Sequence, residues 1–283
     1  MTLSRKIDYL CIGHLTEDVT PDGIHLGGTA AFSTLTAKAF GLNCGLVTSY
    51  KEDVLPHEFD GVQTLIQKTD KMVRFENHYE QGKRIQFVTQ DTAQLQLNNL
   101  PKTFCEAGVT HIGPILNDSK ISETAIFDKT FIGITPQGWL RKCHKRKVIR
   151  TPWDVLRPML PFADAVIISQ EDIDYNQQTV KQMVQFCKLL VVTEGYHGAK
   201  LYWQGDSYHF VAPPKDEIDP TGAGDIFSAV FFILIQRGYS PILAGEIATE
   251  IASLSVTRKG LDAIPKAEEI VQILYQHSIR RIE

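Results

Sequence analysis

A carboxylate at the start of a strongly apolar segment is the feature of this sequence best suited to chemistry. Asp225 closes the heptapeptide Asp219-Pro-Thr-Gly-Ala-Gly-Asp225, and the apolar residues 226–235 follow it directly. Burying an unpaired carboxylate costs several kcal/mol, so a carboxylate in this place is expected to perform a chemical task.

The residues in front of Asp225 indicate what that task is. Gly222, Ala223 and Gly224 stand where a loop is predicted to become a helix. Glycines let backbone amides approach a ligand closely, and the first turn of a helix has unpaired N–H groups and a partial positive charge. The backbone of residues 222–225 is therefore predicted to form an anion site for a transferring phosphoryl group. Asp225 would accept the proton of the attacking hydroxyl. The alternative is an aspartate that only caps a helix packed closely through its glycines.

Two other phosphate-binding patterns are absent from the sequence. It contains no Gly-x-x-x-x-Gly-Lys-Ser/Thr, and no Gly-x-Gly-x-x-Gly follows its first predicted strand. A P-loop protein is therefore excluded, and a dinucleotide-binding fold is not expected.

Composition narrows the class of protein. The 283 residues include 29 basic and 33 acidic side chains, and the net charge of −4 argues against a nucleic-acid partner. The five cysteines are odd in number and never form Cys-x-x-Cys, as is typical of reduced thiols in a cytoplasmic protein. The longest apolar run is too short to cross a bilayer, and the N-terminus lacks a signal-peptide pattern. We expect a cytoplasmic protein without a membrane partner. The nine histidines show no metal spacing and are expected to be ordinary surface or core residues.

Short buried strands alternate with helical segments along most of the chain. This alternation is typical of a parallel sheet flanked by helices, which binds ligands beyond the carboxyl ends of its strands. The predicted strands are 7–12, 45–49, 109–112, 131–134, 165–168 and 189–193. The predicted helices are 27–40 after a glycine turn, 172–188, 242–256 and 265–282.

Two segments depart from this alternation. Residues 72–96 alternate apolar and polar side chains across Glu80-Gln-Gly-Lys, which predicts a β-hairpin. It is a lid over the active site, a dimer contact, or an edge hairpin packed on the main sheet. The basic run 141–147 is expected to be a solvated loop or helix face, with a role for Arg141 near a phosphate as the alternative.

The heptapeptide resembles the signature of the ribokinase-like, or PfkB, family of carbohydrate kinases. Other segments resemble that family in the same order along the chain. They are Gly13-His-Leu-Thr-Glu-Asp18, Gly27-Gly28, Thr193-Glu-Gly195-Tyr-His-Gly198, and Val256-Thr-Arg-Lys-Gly260. The predicted hairpin stands where the family has its β lid.

The resemblance implies a three-layer α/β/α fold with a mainly parallel central sheet and a small β lid. It implies one domain over residues 1–283, with the lid at about 72–96 and a contribution from about 14–26. The activity it implies is transfer of a phosphoryl group from ATP to a small-molecule alcohol, assisted by Mg²⁺, with Asp225 as general base. By analogy it also implies a homodimer through the lid. The implied acceptor residues are Asp18, Gly27 and Gly28, and the implied nucleotide residues are Thr193, Gly195, Gly198, Thr221, Thr249 and Gly260.

The sequence departs from the family pattern at three places. Phe32 replaces an asparagine that often follows the glycine pair, which removes a polar contact to a sugar. The family's Asn-x-x-Glu appears as Ser169-Gln-Glu-Asp172. Asp172 would hold a hydrated Mg²⁺ through water, or Ser169 and Asp172 would cap the following helix. Thr249 stands in place of another asparagine.

A narrower resemblance points to the acceptor. Residues 27–33, the hairpin residues 74–79 and residues 134–141 resemble a subgroup that includes myo-inositol kinases. Gln137 and Arg141 follow a predicted strand, and an amide and a guanidinium suit a polyol or its phosphate. A surface loop is the alternative for both residues.

The predicted function is phosphorylation of a sugar or an inositol-like polyol. A nucleoside kinase is the first alternative, because Phe32 would stack on a base. A catalytically silent ligand-binding protein of the same fold is the second, because the Asn-x-x-Glu is degraded and the asparagines are missing.

Overall fold

The computed structural model describes residues 6–80, 83–90, 94–116, 126–127 and 130–279. Within these ranges the strands are β1 Tyr9–Ile12, β2 Thr16–Thr20, β3 Gly23–Gly27, β4 Cys44–Tyr50, β5 Gln63–Lys68, β6 Val73–Glu80, β7 Lys83–Gln90, β8 Val109–Ile112, β9 Phe131–Ile134, β10 Arg141–His144, β11 Lys147–Arg150, β12 Ala165–Ser169, β13 Leu189–Thr193, β14 Ala199–Trp203 and β15 Asp206–Phe210. The helices are α1 Thr29–Ala39, α2 Lys102–Cys105, α3 Gln177–Met183, α4 Ala223–Gln236, α5 Pro241–Ser255 and α6 Ala267–Ile279.

The main sheet has the order β15-β14-β13-β12-β9-β8-β1-β4-β5. Every pair from β13 through to β5 is parallel, and β14 and β15 extend the sheet antiparallel. All six strands predicted from the sequence belong to its parallel part, so the predicted parallel sheet is confirmed. The sequence analysis did not identify β5, β14 and β15.

Both faces of this sheet are covered, as the alternation of side chains along β1 shows. Tyr9 and Cys11 point into one core with residues of α1, α4 and α5, whereas Leu10 and Ile12 point into a second core beneath α3 and several short 3-10 turns. The apolar segment behind Asp225 becomes α4, which is buried along most of its length because it packs against α1, α5 and the sheet. The three-layer α/β/α architecture is therefore confirmed.

A second sheet, here called the lid sheet, has the order β10-β11-β7-β6-β2-β3. Its centre is the antiparallel hairpin β6–β7, in the segment where the sequence predicted one. β2 pairs parallel to β6, so residues from the first part of the chain complete the sheet. In the described ranges the hairpin therefore belongs to its own sheet rather than to an edge of the main sheet. Residues 81, 82 and 91–93 of the predicted 72–96 segment lie outside the described residues.

The prediction for the basic run 141–147 is wrong. These residues form β10 and the start of β11, joined by a two-residue turn in which Lys145 and Arg146 have φ of 49° and 65°. β11 joins the lid sheet at Phe87 of β7. Basic side chains commonly protect exposed sheet edges against pairing with another chain. An edge strand of this kind has the composition of a solvated loop, so its composition does not predict a strand.

The predicted helix 172–188 is shorter than expected. Asp174 and Tyr175 have φ of 53° and 57°, a left-handed conformation that interrupts a helix. Asn176 then caps α3, because its side chain accepts hydrogen bonds from the amides of Gln178 and Thr179. No described helix is long and apolar enough to cross a membrane.

Candidate active site

A cavity of about 820 Å³ lies between the lid sheet and the carboxyl ends of the main-sheet strands. Ser169 ends β12, Thr193 ends β13, and both line this cavity, as expected for a ligand site in a parallel sheet. Thr16, Asp18 and Phe75 of the lid sheet line it from the other side. The cavity therefore has the size and position of a small-molecule site.

Asp225 lies at the floor of the cavity, where the N-termini of two helices meet. It is the third residue of α4, and Thr29 is the first residue of α1. The Thr29 hydroxyl donates a hydrogen bond of 2.6 Å to Asp225 Oδ1. The Ser33 hydroxyl donates one of 3.2 Å to the Asp225 main-chain carbonyl oxygen. The Thr29 contact orients the carboxylate, and the Ser33 contact holds the backbone that carries it.

The surroundings of Asp225 raise its pKa from 3.8 to about 6. Burial is the largest cause, and the Asp172 carboxylate adds to it, whereas the Thr29 hydrogen bond and the Arg141 cation act in the opposite direction. The side chain still lines the cavity, where a ligand can reach it. At neutral pH Asp225 is thus mostly ionised and basic enough to receive a proton, which suits a general base.

The heptapeptide loop has the backbone geometry that the predicted anion site requires. Gly222 has φ of 81°, and a Cβ at this position would collide with the ring of Phe32, so only glycine fits. The amides of Gly224 and Asp225 donate none of the hydrogen bonds found among the described residues, whereas those of Ala223 and Ile226 bond Pro220 and Gly222. Two first-turn amides are thus available to an anion beside the carboxylate.

Asp219, at the other end of the heptapeptide, anchors the loop. Its Oδ1 accepts a hydrogen bond of 2.9 Å from the Thr221 amide, and its Oδ2 accepts one of 3.3 Å from the Gly260 amide. Gly260 lies outside the cavity lining in the described part of the chain, although the sequence analysis placed it at the nucleotide. Its amide connects the loop after α5 to the heptapeptide loop through Asp219.

The other predicted nucleotide residues line the same cavity. Gly198 has φ of 100° and approaches the Phe210 carbonyl too closely for any Cβ. The Thr249 hydroxyl donates to the Gly245 carbonyl at 2.7 Å, so its hydrogen is already used within α5. The cavity-lining members of this set are Thr193, Gly195, Gly198, Thr221 and Thr249.

Of the predicted acceptor residues, Asp18, Gly28 and Phe32 line the cavity, whereas Gly27 has a supporting place. Gly27 is not part of the described lining and lies against Asp18, where a Cβ would meet the carboxylate. Phe32 is only 1% exposed and packs beneath Gly222. This burial leaves little of the ring available for stacking on a base.

Gln137 and Arg141 also line the cavity, so neither lies in a surface loop. Arg141 donates to Asp172 Oδ1 at 3.0 Å and to Gln86 Oε1 at 3.2 Å, which connects the lid sheet to the main sheet. Gln137 Nε2 lies 3.4 Å from both carboxylate oxygens of Asp172. The cap of the turn after β12 comes from Ser169, which accepts from the Glu171 amide, and the Asp172 side chain faces the cavity instead.

The sequence analysis missed a buried polar chain behind the cavity. The Tyr9 hydroxyl lies 2.7 Å from His111 Nδ1, and His111 Nε2 lies 2.9 Å from the hydroxyl of Thr135. Burial lowers the pKa of His111 to about 3, so the ring is neutral. Thr135 lines the cavity. Its position directly after the predicted strand 131–134 was the one signal that could have identified it.

Comparison with known proteins agrees with this architecture. The family pattern described as pfkB family carbohydrate kinase matches residues 143–267. A pyrophosphate-dependent kinase in the ribokinase family, solved with a pyrophosphate analogue and myo-inositol, superposes with a TM-score of 0.79, covering 93% of this chain and 99% of that one at 20% identity. The chain therefore shares the fold of this neighbour, and the match to the pfkB family pattern covers less than half of its residues.

The curated relatives that this chain resembles are kinases named for different acceptors. An inositol 3-kinase of Zea mays is 32% identical over 133 residues, which are 46% of this chain and 33% of the relative. The chain thus spans about a third of the length of that relative. A cytidine kinase of Thermococcus kodakarensis is 27% identical over 260 residues, covering 82% of this chain and 90% of the relative.

Proposed function

We propose that this chain is a kinase of the pfkB family that transfers a phosphoryl group from ATP to a hydroxyl of a small polyol, a sugar or an inositol-like compound. The observation that carries the proposal is Asp225 itself. It is a carboxylate with a raised pKa, it is oriented by Thr29, and it lies beside two unpaired helix amides.

In the proposed reaction Asp225 accepts the proton of the acceptor hydroxyl. The oxygen attacks the γ-phosphorus, a new P–O bond forms, and the bond to the bridging oxygen of ADP breaks. The amides of Gly224 and Asp225 stabilise the charge on the transferring group, and Gly222 gives the loop its shape. The protein thus supplies positioning, a proton acceptor and an anion site.

A magnesium ion fits this site only in hydrated form. Within the described ranges no three metal-ligating side chains are grouped together. Mg²⁺ keeps several waters in nucleotide sites, and when bound it neutralises charge on the donor phosphates. Asp172 remains the proposed contact through water, since its carboxylate faces the cavity. The same carboxylate also forms an ion pair with Arg141.

The acceptor is proposed to bind against the lid-side residues. Asp18, Gln137 and Arg141 line the cavity and offer a carboxylate acceptor, an amide and a guanidinium. These three side chains suit a ligand with several hydroxyl groups. The inositol 3-kinase relative and the neighbour solved with myo-inositol support this acceptor class.

A nucleoside acceptor is the second candidate. The cytidine kinase relative aligns over most of both chains and favours it. The burial of Phe32 speaks against the stacking that first suggested it. The third candidate, a silent ligand-binding protein, is disfavoured by the ionisable Asp225 and the open amides beside it. A homodimer through the lid stays a prediction, with β3 and β10 as the two edges of the lid sheet.

The test is a panel of donors and acceptors. ATP and pyrophosphate are each combined with Mg²⁺ and with myo-inositol, ribose or cytidine, and phosphorylated product is measured by mass spectrometry. We expect ATP-dependent product with a polyol and none with Asp225→Asn. Product with cytidine alone would establish the nucleoside alternative. Tight ligand binding without any product would support the silent binder.

A further inference from the structure

The β2–β3 hairpin of the lid sheet forms one wall of the cavity. Asp18 of β2 lines the cavity, and β3 leads directly into Gly28 and Thr29, which line it as well. Thr29 in turn orients the carboxylate of Asp225. A shift of this hairpin would therefore displace a proposed acceptor contact beside the residue that holds the base.

The tip of the hairpin reaches across to the opposite side of the site. The Thr20 hydroxyl donates to the Gly23 carbonyl oxygen at 3.1 Å, and its oxygen accepts from the Asp22 amide at 3.3 Å. Side-chain bonds of this kind fix the shape of a turn. The turn presents Asp22 to Lys259, whose ammonium group donates to Asp22 Oδ2 at 2.9 Å. Strand β3 also lies against the 3-10 turn Gly260–Ala263.

Lys259 belongs to the segment that holds the heptapeptide loop. The next residue, Gly260, donates its amide to Asp219 Oδ2 at 3.3 Å. The Val256 carbonyl oxygen accepts from the Asp219 amide at 3.1 Å. Residues 256–260 therefore anchor the start of the heptapeptide loop through their backbone, and the same segment contacts the lid sheet through the Lys259 side chain.

We infer that Asp22 and Lys259 are positioning residues whose ion pair holds the β2–β3 hairpin in place relative to the heptapeptide loop. The inference rests on the proposed function. Phosphoryl transfer needs the attacking and leaving oxygens in line with the phosphorus, and small misplacements of the reactants lower its rate steeply. The hairpin carries the acceptor side and the loop carries the phosphoryl side, and the ion pair joins residues 237 positions apart. It aligns the two sides from outside the described cavity lining.

The test compares Asp22→Asn, Lys259→Met and the double variant. The probes are ATP with Mg²⁺ and myo-inositol, ribose or cytidine. The side chains of Lys259 and Asp22 are 67% and 65% exposed, so their ion pair is a modest one. Each single substitution should lower kcat for transfer about two- to fivefold and leave both KM values nearly unchanged. The double variant should lose no more than either single variant, because each single substitution already removes the pair, and Lys259→Arg should keep the wild-type kcat.

The ratio of ATP hydrolysed to acceptor phosphorylated distinguishes positioning from a general loss of structure. Water can reach Asp225 without being aligned by the hairpin, so a misplaced hairpin should lower transfer more than hydrolysis. The ratio should therefore rise in Asp22→Asn and in Lys259→Met. A smaller fraction of folded protein would lower both rates equally and leave the ratio unchanged.

Lys68→Met is the matched control. Lys68 forms an exposed ion pair of the same length, 2.9 Å to Asp53, on the edge strand β5 and outside the described cavity lining. An equal loss of kcat in this control would overturn the inference. A loss in Lys259→Met that Asp22→Asn does not share would also overturn it, because Lys259 would then act without its partner.

Hydrogen exchange separates this inference from the proposed function, because it needs no turnover. The amides of Thr221 and Gly260 both donate to the Asp219 carboxylate. They should exchange faster in Asp22→Asn than in wild type and remain unchanged in Lys68→Met. Unchanged exchange in Asp22→Asn would contradict the link between hairpin and loop.

The two failures then look different. If the wild type phosphorylates a polyol and both single variants match it in kcat and in the hydrolysis ratio, the inference alone fails. If the wild type phosphorylates no probe while exchange rises in Asp22→Asn, the proposed function fails and the link between hairpin and loop stands.

Discussion

The hydroxyl of Thr29 donates a hydrogen bond of 2.6 Å to the carboxylate of Asp225, joining two residues 196 positions apart. The contact brings the N-terminus of α1 to the carboxylate in the first turn of α4. Hydrogen bonding and helix termini both favour the ionised form of a carboxylate, whereas burial disfavours it. Asp225 is left with a pKa of about 6, between a weakly basic surface aspartate and a permanently protonated buried one.

Replacing Thr29 with valine should move the pH dependence of the reaction. Without the hydrogen bond that lowers it, the pKa of Asp225 should rise above about 6. The acid limb of kcat/KM should shift upward by about one pH unit, the scale of a hydrogen bond to a charged group. Thr29→Ser keeps the hydroxyl and serves as the control. An acid limb at the same pH in all three proteins would contradict this account.

Asp225→Asn should retain nucleotide binding and lose on the order of a hundredfold or more in turnover. The amide keeps the shape of the side chain and an acceptor for Thr29 but cannot take a proton. Steady-state rates with the best acceptor from the panel, together with nucleotide binding by calorimetry, measure both halves of the prediction. Turnover near the wild-type value would disprove the base assignment.

The same substitution should change stability in a pH-dependent way. The folded pKa of Asp225 is raised from 3.8 to about 6, so the folded protein holds this proton more tightly than the unfolded chain. The cost of ionised Asp225 is absent below about pH 4, grows between pH 4 and 6, and is constant above pH 6. Asp225→Asn should therefore gain up to about 3 kcal/mol more stability relative to wild type at pH 8 than at pH 3.5. Urea unfolding at both pH values measures the difference, and an equal difference at both would refute it.

The Arg141–Asp172 pair should behave as a buried ion pair. Arg141 is 9% exposed and lies 3.0 Å from Asp172 Oδ1. Arg141→Met alone should destabilise the protein by about 3 to 5 kcal/mol because it leaves a buried carboxylate unpaired. The double variant with Asp172→Leu should recover much of that stability yet still bind a polyol poorly. Chemical unfolding of both single variants and the double variant gives the coupling energy, and a coupling near zero would show that the pair is not energetically linked.

Gly222→Ala should disturb the proposed anion site through two separate effects, backbone strain and a steric collision. The residue has φ of 81°, and its Cβ would also collide with Phe32. Gly238→Ala is the matched control, with φ of 84° and no atom within 4 Å of the added Cβ. The control should lose about 1 kcal/mol of stability from backbone strain alone. Gly222→Ala should lose more stability and at least tenfold in turnover, and equal stability losses in thermal unfolding would exclude the steric contribution.

The parts predicted correctly from the sequence are those encoded in short stretches of chain. Six strands of the main sheet are brief apolar runs, and the loop around Asp225 carries its own glycines and carboxylate. The β10–β11 hairpin was missed because an exposed basic edge strand has the composition of a solvated loop. The links from Arg141 to Asp172 and from His111 to Thr135 were missed for a different reason: each joins residues 24 to 31 positions apart on separate elements, and no local pattern marks such a pair.

The lid sheet is assembled from three excursions of the chain. β2 and β3 leave between β1 and α1, β6 and β7 leave between β5 and β8, and β10 and β11 leave between β9 and β12. Each excursion starts and ends near the main sheet, so the lid cannot be deleted or transplanted as one continuous cassette. Its three hairpins can pair with one another only after distant parts of the chain have come together, so the complete lid sheet forms late in folding. A destabilising substitution in a lid strand should therefore change the unfolding of the whole protein rather than produce a separate unfolding transition of the lid sheet.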